Sequence, residues 1–150
     1  MTVGITFSTF DLLHAGHISM LREAKSVCDH LICGLQVDPS IDRKEKNSPI
    51  QTLVERHVQL SSVKYVDEII CYQSESDVVD ILEMFDIDVK IMGAEYKDQD
   101  FTGKEVCERK NIKLHFNKRS HRFSSSDLRK RVAHGEKLCY NKINNKTREE

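Results

Sequence analysis

Short apolar runs alternate with one-sided amphipathic stretches along most of the chain. Val3 to Phe7 is a continuous apolar run, and His30 to Val37 is a second without strict alternation. Lys64 to Cys71 reads as a turn and a third strand, Val89 to Met92 as a fourth, and Ile112 to Phe116 as a fifth. The last alternates, which places it near a sheet edge. Between the runs the spacing changes to that of helices. Ile18, Leu21, Ala24, Lys25 and Cys28 mark the first. Ile50, Leu53, Val54, His57, Leu60 and Ser61 mark the inward face of the second, which Pro49 starts. Val78, Ile81, Leu82 and Phe85 form the stripe of the third, a core stripe; Phe101 to Lys110 and Leu128 to His134 complete the set, with Gly135 as the stop. Continuous apolar strands separated by helices predict a parallel sheet covered on both faces. The right-handed crossover rule makes it an α/β, doubly wound, Rossmann-like sheet of five parallel strands. Residues 1–135 form one domain. Residues 136–150, rich in Lys and Asn, read as a polar, mobile C-terminal tail.

Composition narrows the partners. The 150 residues carry 23 Lys+Arg against 24 Asp+Glu, a formal net charge of -1, so neither nucleic acid nor an acidic membrane surface is expected. No apolar run approaches the roughly 20 residues of a membrane span, and no signal peptide is read at the start, so a cytoplasmic protein is expected. The five cysteines, Cys28, Cys33, Cys71, Cys107 and Cys139, include no C-x-x-C pair; they read as buried, reduced thiols.

The candidate chemistry sits between the first strand and the first helix, at Ser8-Thr9-Phe10-Asp11-Leu12-Leu13-His14-Ala15-Gly16-His17. Two histidines three apart share a helix face. At a helix start they point at one spot beside unpaired N–H groups, an anion site with two imidazole donors. Asp11 is placed to orient a histidine or to start the helix. The polar stretch from Ile41 to Ser48 leaves the carboxyl end of a strand, the rim where open α/β sheets bind ligands. It is either a solvated loop or one that swings Lys44 and Lys46 over a phosphate. Ser124-Ser125-Ser126-Asp127 after Lys118, Arg119, His121 and Arg122 serves helix capping and anion binding equally well. Arg56 alone reads as a surface charge, and His57 as packing.

The His14-Ala15-Gly16-His17 motif, after a strand ending in Thr-Phe-Asp, resembles the HxGH signature of the nucleotidylyltransferase superfamily. Glu55-Arg56-His57, Lys64 to Ile69, Ile91-Met92-Gly93 and Arg119 to Ser126 fall in the order and spacing of its small cytidylyltransferases, those typified by transfer to glycerol 3-phosphate. The likeness spans roughly residues 3 to 133.

The resemblance implies an enzyme of the nucleotidyltransferase class. An acceptor phosphate attacks the α-phosphorus of a nucleoside triphosphate, CTP being favoured, and pyrophosphate leaves. His14, His17, Lys44, Lys46 and Arg119 would be catalytic. Ser8, Thr9, Phe10, Asp11, Gly93, Glu95, Tyr96, Phe123, Ser124, Ser125 and Ser126 would join them around the nucleotide. Asp11, Asp38, Lys44 and Arg56 would hold a small phosphorylated acceptor, with Arg56 on its phosphate. Mg2+ bridging phosphate oxygens is implied, with no protein metal site, and so is a homodimer. The alternatives are an adenylyltransferase using ATP and a non-catalytic nucleotide-binding module. The chain departs from the pattern at Ser8, where the family has Gly, at Arg122 and Phe123, which replace Gly and Ile, and at Ala94-Glu95-Tyr96, which replaces Asp-Asp-Trp.

Overall fold

The computed structural model describes residues 1–146. Five strands, β1 (Val3–Ser8), β2 (His30–Gln36), β3 (Glu68–Tyr72), β4 (Val89–Gly93) and β5 (Lys113–Asn117), pair in the order β3-β2-β1-β4-β5. All four pairings are parallel. β2, the longest, is buried at six of its seven positions, as its unbroken apolar run requires. β5 is an edge strand, and its exposed Lys113 and Leu114 fit that place.

The pleat sends successive residues to opposite faces. Leu31, Cys33, Leu35, Val89 and Ile91 pack with Leu21, Ala24 and Leu60, under α1 (Ala15–Ser26) and α3 (Leu53–Ser61). Ile5 and Ile32 pack on the other face with Val78, Ile81, Leu82, Val106 and Cys107, under α4 (Glu75–Met84) and α5 (Lys104–Arg109). The doubly wound sheet is therefore what the alternation of runs predicted. The chain leaves β1 toward β2 and β3, and later returns to β4 on β1's other side. That reversal puts the switch point at the carboxyl ends of β1 and β4, where such sheets open a crevice.

Several local expectations are corrected. The helix expected from Pro49 begins at Leu53, because Thr52 and Glu55 form a capping box there: Thr52 Oγ1 accepts from Glu55 N, and the Glu55 carboxylate accepts from Thr52 N. Its inward positions are then Leu53, Arg56 and Leu60, while Ile50, Val54 and His57 are exposed. After β2 ends, Asp38 caps a short α2 (Pro39–Asp42), which takes in the first residues of the polar stretch expected from Ile41 to Ser48. The last helix does not stop at Gly135; α6 runs from Ser125 to Lys146. One glycine costs a helix only about 1 kcal/mol, and no proline follows it. α6 buries none of its residues, so its length rests on local pairs such as Arg131 with Asp127. Residues 147–150 of the expected tail lie outside the described residues. The cysteines are all free, but only Cys33 and Cys107 are buried; Cys71 and Cys139 are exposed. Burial pushes the Cys33 thiol up to about 12.

Candidate active site

The chain turns from β1 into α1 with Phe10 and Leu12 both at φ 50, left-handed values unusual for non-glycine residues. Strong ties hold that turn. Asp11 is buried, and its two carboxylate oxygens accept from Ile50 N and Gln51 N, both at 2.9 Å. Gln51 Oε1 accepts from Leu12 N at 2.8 Å. Arg56, 2% exposed, donates to four backbone carbonyls: Nε to Gln51, Nη1 to Thr9 and Gln36, and Nη2 to Val37. It fastens the ends of β1 and β2 to the start of α3, so it is not the surface charge its sequence position suggested.

The two histidines cap α1 themselves. His14 is the N-cap; its Nδ1 accepts from Gly16 N at 3.0 Å, and His17 Nδ1 accepts from His14 N at 3.2 Å. The reciprocal pattern is that of a capping box with imidazoles in both places. It fixes both tautomers: with Nδ1 accepting, the proton sits on Nε2. His14 Nε2–H then donates to Ser125 Oγ at 3.2 Å, and that hydroxyl donates to Asp11 O at 3.4 Å. His17 Nε2–H remains for a ligand. The rings lie 4.0 Å apart. Burial, with His14 adding repulsion, lowers the His17 pKa to about 4, and burial, His121 and Arg119 lower that of His14. Both are neutral N–H donors near pH 7.

Gly16 is fixed by this geometry. A Cβ there would lie 2.7 Å from His14 Cε1 and 3.2 Å from His121 Cε1. At Gly93 the place of a Cβ is covered only by the Glu95 carboxylate, the free end of a flexible side chain that can move aside.

Two cavities open here. One, about 310 Å³, is lined by His14, His17, Gly93, Glu95, Arg119, Phe123 and Ser124, with Lys118 and His121. His121 stacks on Phe123 with centroids 5.2 Å apart and accepts from Phe123 N. Arg119 Nη2 donates to Phe123 O at 3.3 Å. Ser124 serves as the cap of α6, accepting from Asp127 N at 3.1 Å. The other cavity, about 530 Å³, is lined by Ser8, Thr9, Arg43, Lys46, Glu95 and Tyr96, and by Lys90 on its inner wall. Met20, Gly93, Glu95 and Asn117 line both, so the two cavities adjoin at the switch point. Asn117 is buried there and its Oδ1 has no partner.

Other expected residues sit elsewhere. Phe10 is 1% exposed, in the core under α1 and α3, so only its backbone faces the turn. Asp38 caps α2, and its Oδ1 accepts from Ser40 N and Oγ. Lys44 is exposed on its loop and Ser126 is exposed on α6; neither lines either of these two cavities. Arg43, Lys90 and Asn117 were missed, whereas His121 was named only as one of the basic groups ahead of the last helix. Arg43 and Lys90 carry no motif of their own; only the pleat of β4, which turns Val89 and Ile91 to one core, puts Lys90 in the other.

A family model described as cytidylyltransferase-like matches residues 5–131. A glycerol-3-phosphate cytidylyltransferase of Staphylococcus aureus is 38% identical over 104 residues, 69% of this chain and 78% of that protein. The bifunctional protein HldE of a Caulobacter species is 36% identical over 107 residues, 71% of this chain but 22% of that protein. The chain thus spans about a fifth of the bifunctional relatives it matches. Among solved structures, a lipopolysaccharide core biosynthesis protein of Thermoplasma volcanium superposes with a TM-score of 0.66 at 26% identity, covering 81% of this chain and 99% of that one.

Proposed function

We propose, because this chain belongs to the cytidylyltransferase-like family, that it transfers a nucleotidyl group from CTP to a small phosphorylated alcohol, glycerol 3-phosphate being the first candidate. One observation carries the reading. Two adjoining cavities meet at the sheet's switch point, and a pair of neutral imidazoles presents Nε2–H groups beside the smaller one. The triphosphate lies in the smaller cavity along the α1 and α6 starts, and the acceptor in the larger.

An acceptor phosphate oxygen attacks the α-phosphorus, the bond to the β-phosphate oxygen breaks, and pyrophosphate departs with that electron pair. The acceptor phosphate is ionised at pH 7, so no general base is required. Catalysis is positioning plus hydrogen bonds to charge developing on the equatorial oxygens. His17 Nε2–H, unspent, donates to the α-phosphate. His14 Nε2–H turns from Ser125 to the adjacent phosphate. Arg119 and the hydroxyls of Ser124 and Ser125 receive the departing pyrophosphate, and Lys46 reaches over from the larger cavity. Lys44 follows only if its loop closes. Among the described residues no three His, Cys, Asp or Glu side chains converge on a cation. Mg2+ would enter with the triphosphate and supply positive charge to it.

The test is pyrophosphate release from each ribonucleoside triphosphate against glycerol 3-phosphate, choline and ethanolamine phosphates and sugar phosphates. Release with CTP and glycerol 3-phosphate is expected. His14→Ala should lower the rate about 100- to 1,000-fold, the cost of one transition-state donor. An unchanged rate in that variant would remove this helix start from the reaction. Release with ATP alone would move the chain to adenylyl transfer, with Ala94-Glu95-Tyr96 as the departure responsible. Light scattering checks the homodimer that accompanies the reading.

A further inference from the structure

Among the described residues three charged side chains are buried: Asp11, Arg56 and Lys90. The first two spend their hydrogen-bonding capacity on backbone groups. Lys90 does not. It is 5% exposed at the second position of β4, and its ammonium donates one bond, to Thr102 O at 2.9 Å. The Phe101 and Phe7 rings lie 4.6 and 5.6 Å away. It forms no ion pair among the described residues, which leaves two donors of a desolvated cation unspent. Burial lowers its pKa, with Cys107 and Glu75 opposing. A second observation concerns the same cavity. Arg43 Nε is buried without a partner. The acid at hand, Glu75, is already engaged, by Arg43 Nη2 at 3.5 Å and by Thr102 Oγ1 at 2.7 Å. Around Lys90 and Arg43 the wall of the larger cavity therefore presents surplus N–H donors, while its orphan acceptor, Asn117 Oδ1, lies where the two cavities adjoin.

We propose that Lys90, with Arg43 Nε on the same cavity, reads the far end of the acceptor and selects one whose tail carries oxygens, as hydroxyls or a carboxylate. The inference rests on the nucleotidyl-transfer reading above and assigns its acceptor specificity. A tail oxygen completes the ammonium's hydrogen bonds. An alkyl tail leaves the same donors desolvated and unpaired, so it is rejected.

The experiment compares glycerol 3-phosphate, 3-phosphoglycerate and propyl phosphate as acceptors, at saturating CTP with magnesium, in the wild type, Lys90→Met and Lys90→Gln. The wild type should favour the oxygen-bearing acceptors over propyl phosphate by about 10- to 100-fold in kcat/KM, the range of one hydrogen bond to a charged group. The order of the first two tells a carboxylate tail from a hydroxyl tail. Lys90→Met should bring the preference close to one by raising the KM for the oxygen-bearing acceptors, with the KM for CTP unchanged. Lys90→Gln, which keeps donors, should retain part of it and stands in if the methionine variant does not fold. Equal use of propyl phosphate by the wild type would overturn the inference. So would an equal loss on all three acceptors in Lys90→Met, which would make Lys90 only a tether for Thr102. If no acceptor turns over, it is the transfer reading that fails. Calorimetry of the same three ligands then decides on Lys90 by itself: binding that needs tail oxygens and is lost in Lys90→Met supports it, and indifferent binding overturns it.

Discussion

Replacing Arg56 by methionine tests the strut that joins β1, β2 and α3. The methionine fills most of the volume but ends four hydrogen bonds, to the carbonyls of Thr9, Gln36, Val37 and Gln51. Each bond to a charged donor contributes about 1.5–3 kcal/mol in mutational series, so simple addition gives about 6–12 kcal/mol. The sum overshoots, because removing the guanidinium also removes its own desolvation cost. Breaking a buried charged network typically costs about 3–5 kcal/mol, and that is the expected loss. Against a total stability of about 5–15 kcal/mol it is large, and it corresponds to a fall in Tm of roughly 6–20 °C. Urea unfolding measures it, with Arg22→Met, an exposed arginine on α1, expected within about 0.5 kcal/mol of wild type. A loss below about 1 kcal/mol for Arg56→Met would refute the strut. Unchanged stability with a raised KM for the acceptor alone would instead return Arg56 to the phosphate-binding role its motif suggested.

Two further outcomes follow from the imidazole cap. The His17 pKa falls from 6.5 to about 4 on folding, so the unfolded chain takes up a proton between those values that the native state refuses. Stability should drop as pH falls through that window, by about 2 kcal/mol between pH 6.5 and 4.5. His17→Gln should show a shallower slope in urea unfolding over the same range, and identical slopes would contradict the neutral buried imidazole. Gly16→Ala ought to stabilise an ordinary helix by about 1 kcal/mol. Here its Cβ would meet a ring that cannot swing away without releasing Gly16 N, so a lower urea midpoint and at least a tenfold slower pyrophosphate release are expected. A gain in stability with an unchanged rate would sink that account.

The fold was legible because runs such as Leu31 to Gln36 and the stripe Val78, Ile81, Leu82 state strand and helix by period alone. The α3 boundary was misplaced because Pro49 is a common helix opener, whereas the capping box at Thr52 and Glu55 satisfies the end three residues later. At the site, the HxGH stretch announced a helix start, which the structure has at Ala15 with His14 as its cap. It did not reveal that the imidazoles would accept from their own helix, which decides their protonation and tautomer. Arg56 and Lys90 illustrate the limit. A charged residue in an amphipathic pattern defaults to solvent, and only tertiary contacts between distant segments show one turned into a strut and the other into a cavity wall.

The imidazole cap also bears on how this molecule can change its substrate. At the α1 start the same atoms begin a helix and, in the proposed reaction, face the phosphates, so each substitution there would be charged twice, once in stability and once in turnover. The wall of the larger cavity carries less of this double duty: Lys90 holds one backbone carbonyl, Thr102 O, and Arg43 one carboxylate, Glu75. With the acceptor seated there as proposed, new acceptor preferences can be installed on that wall, one side chain at a time, at a small cost in stability, while the nucleotide end stays as it is.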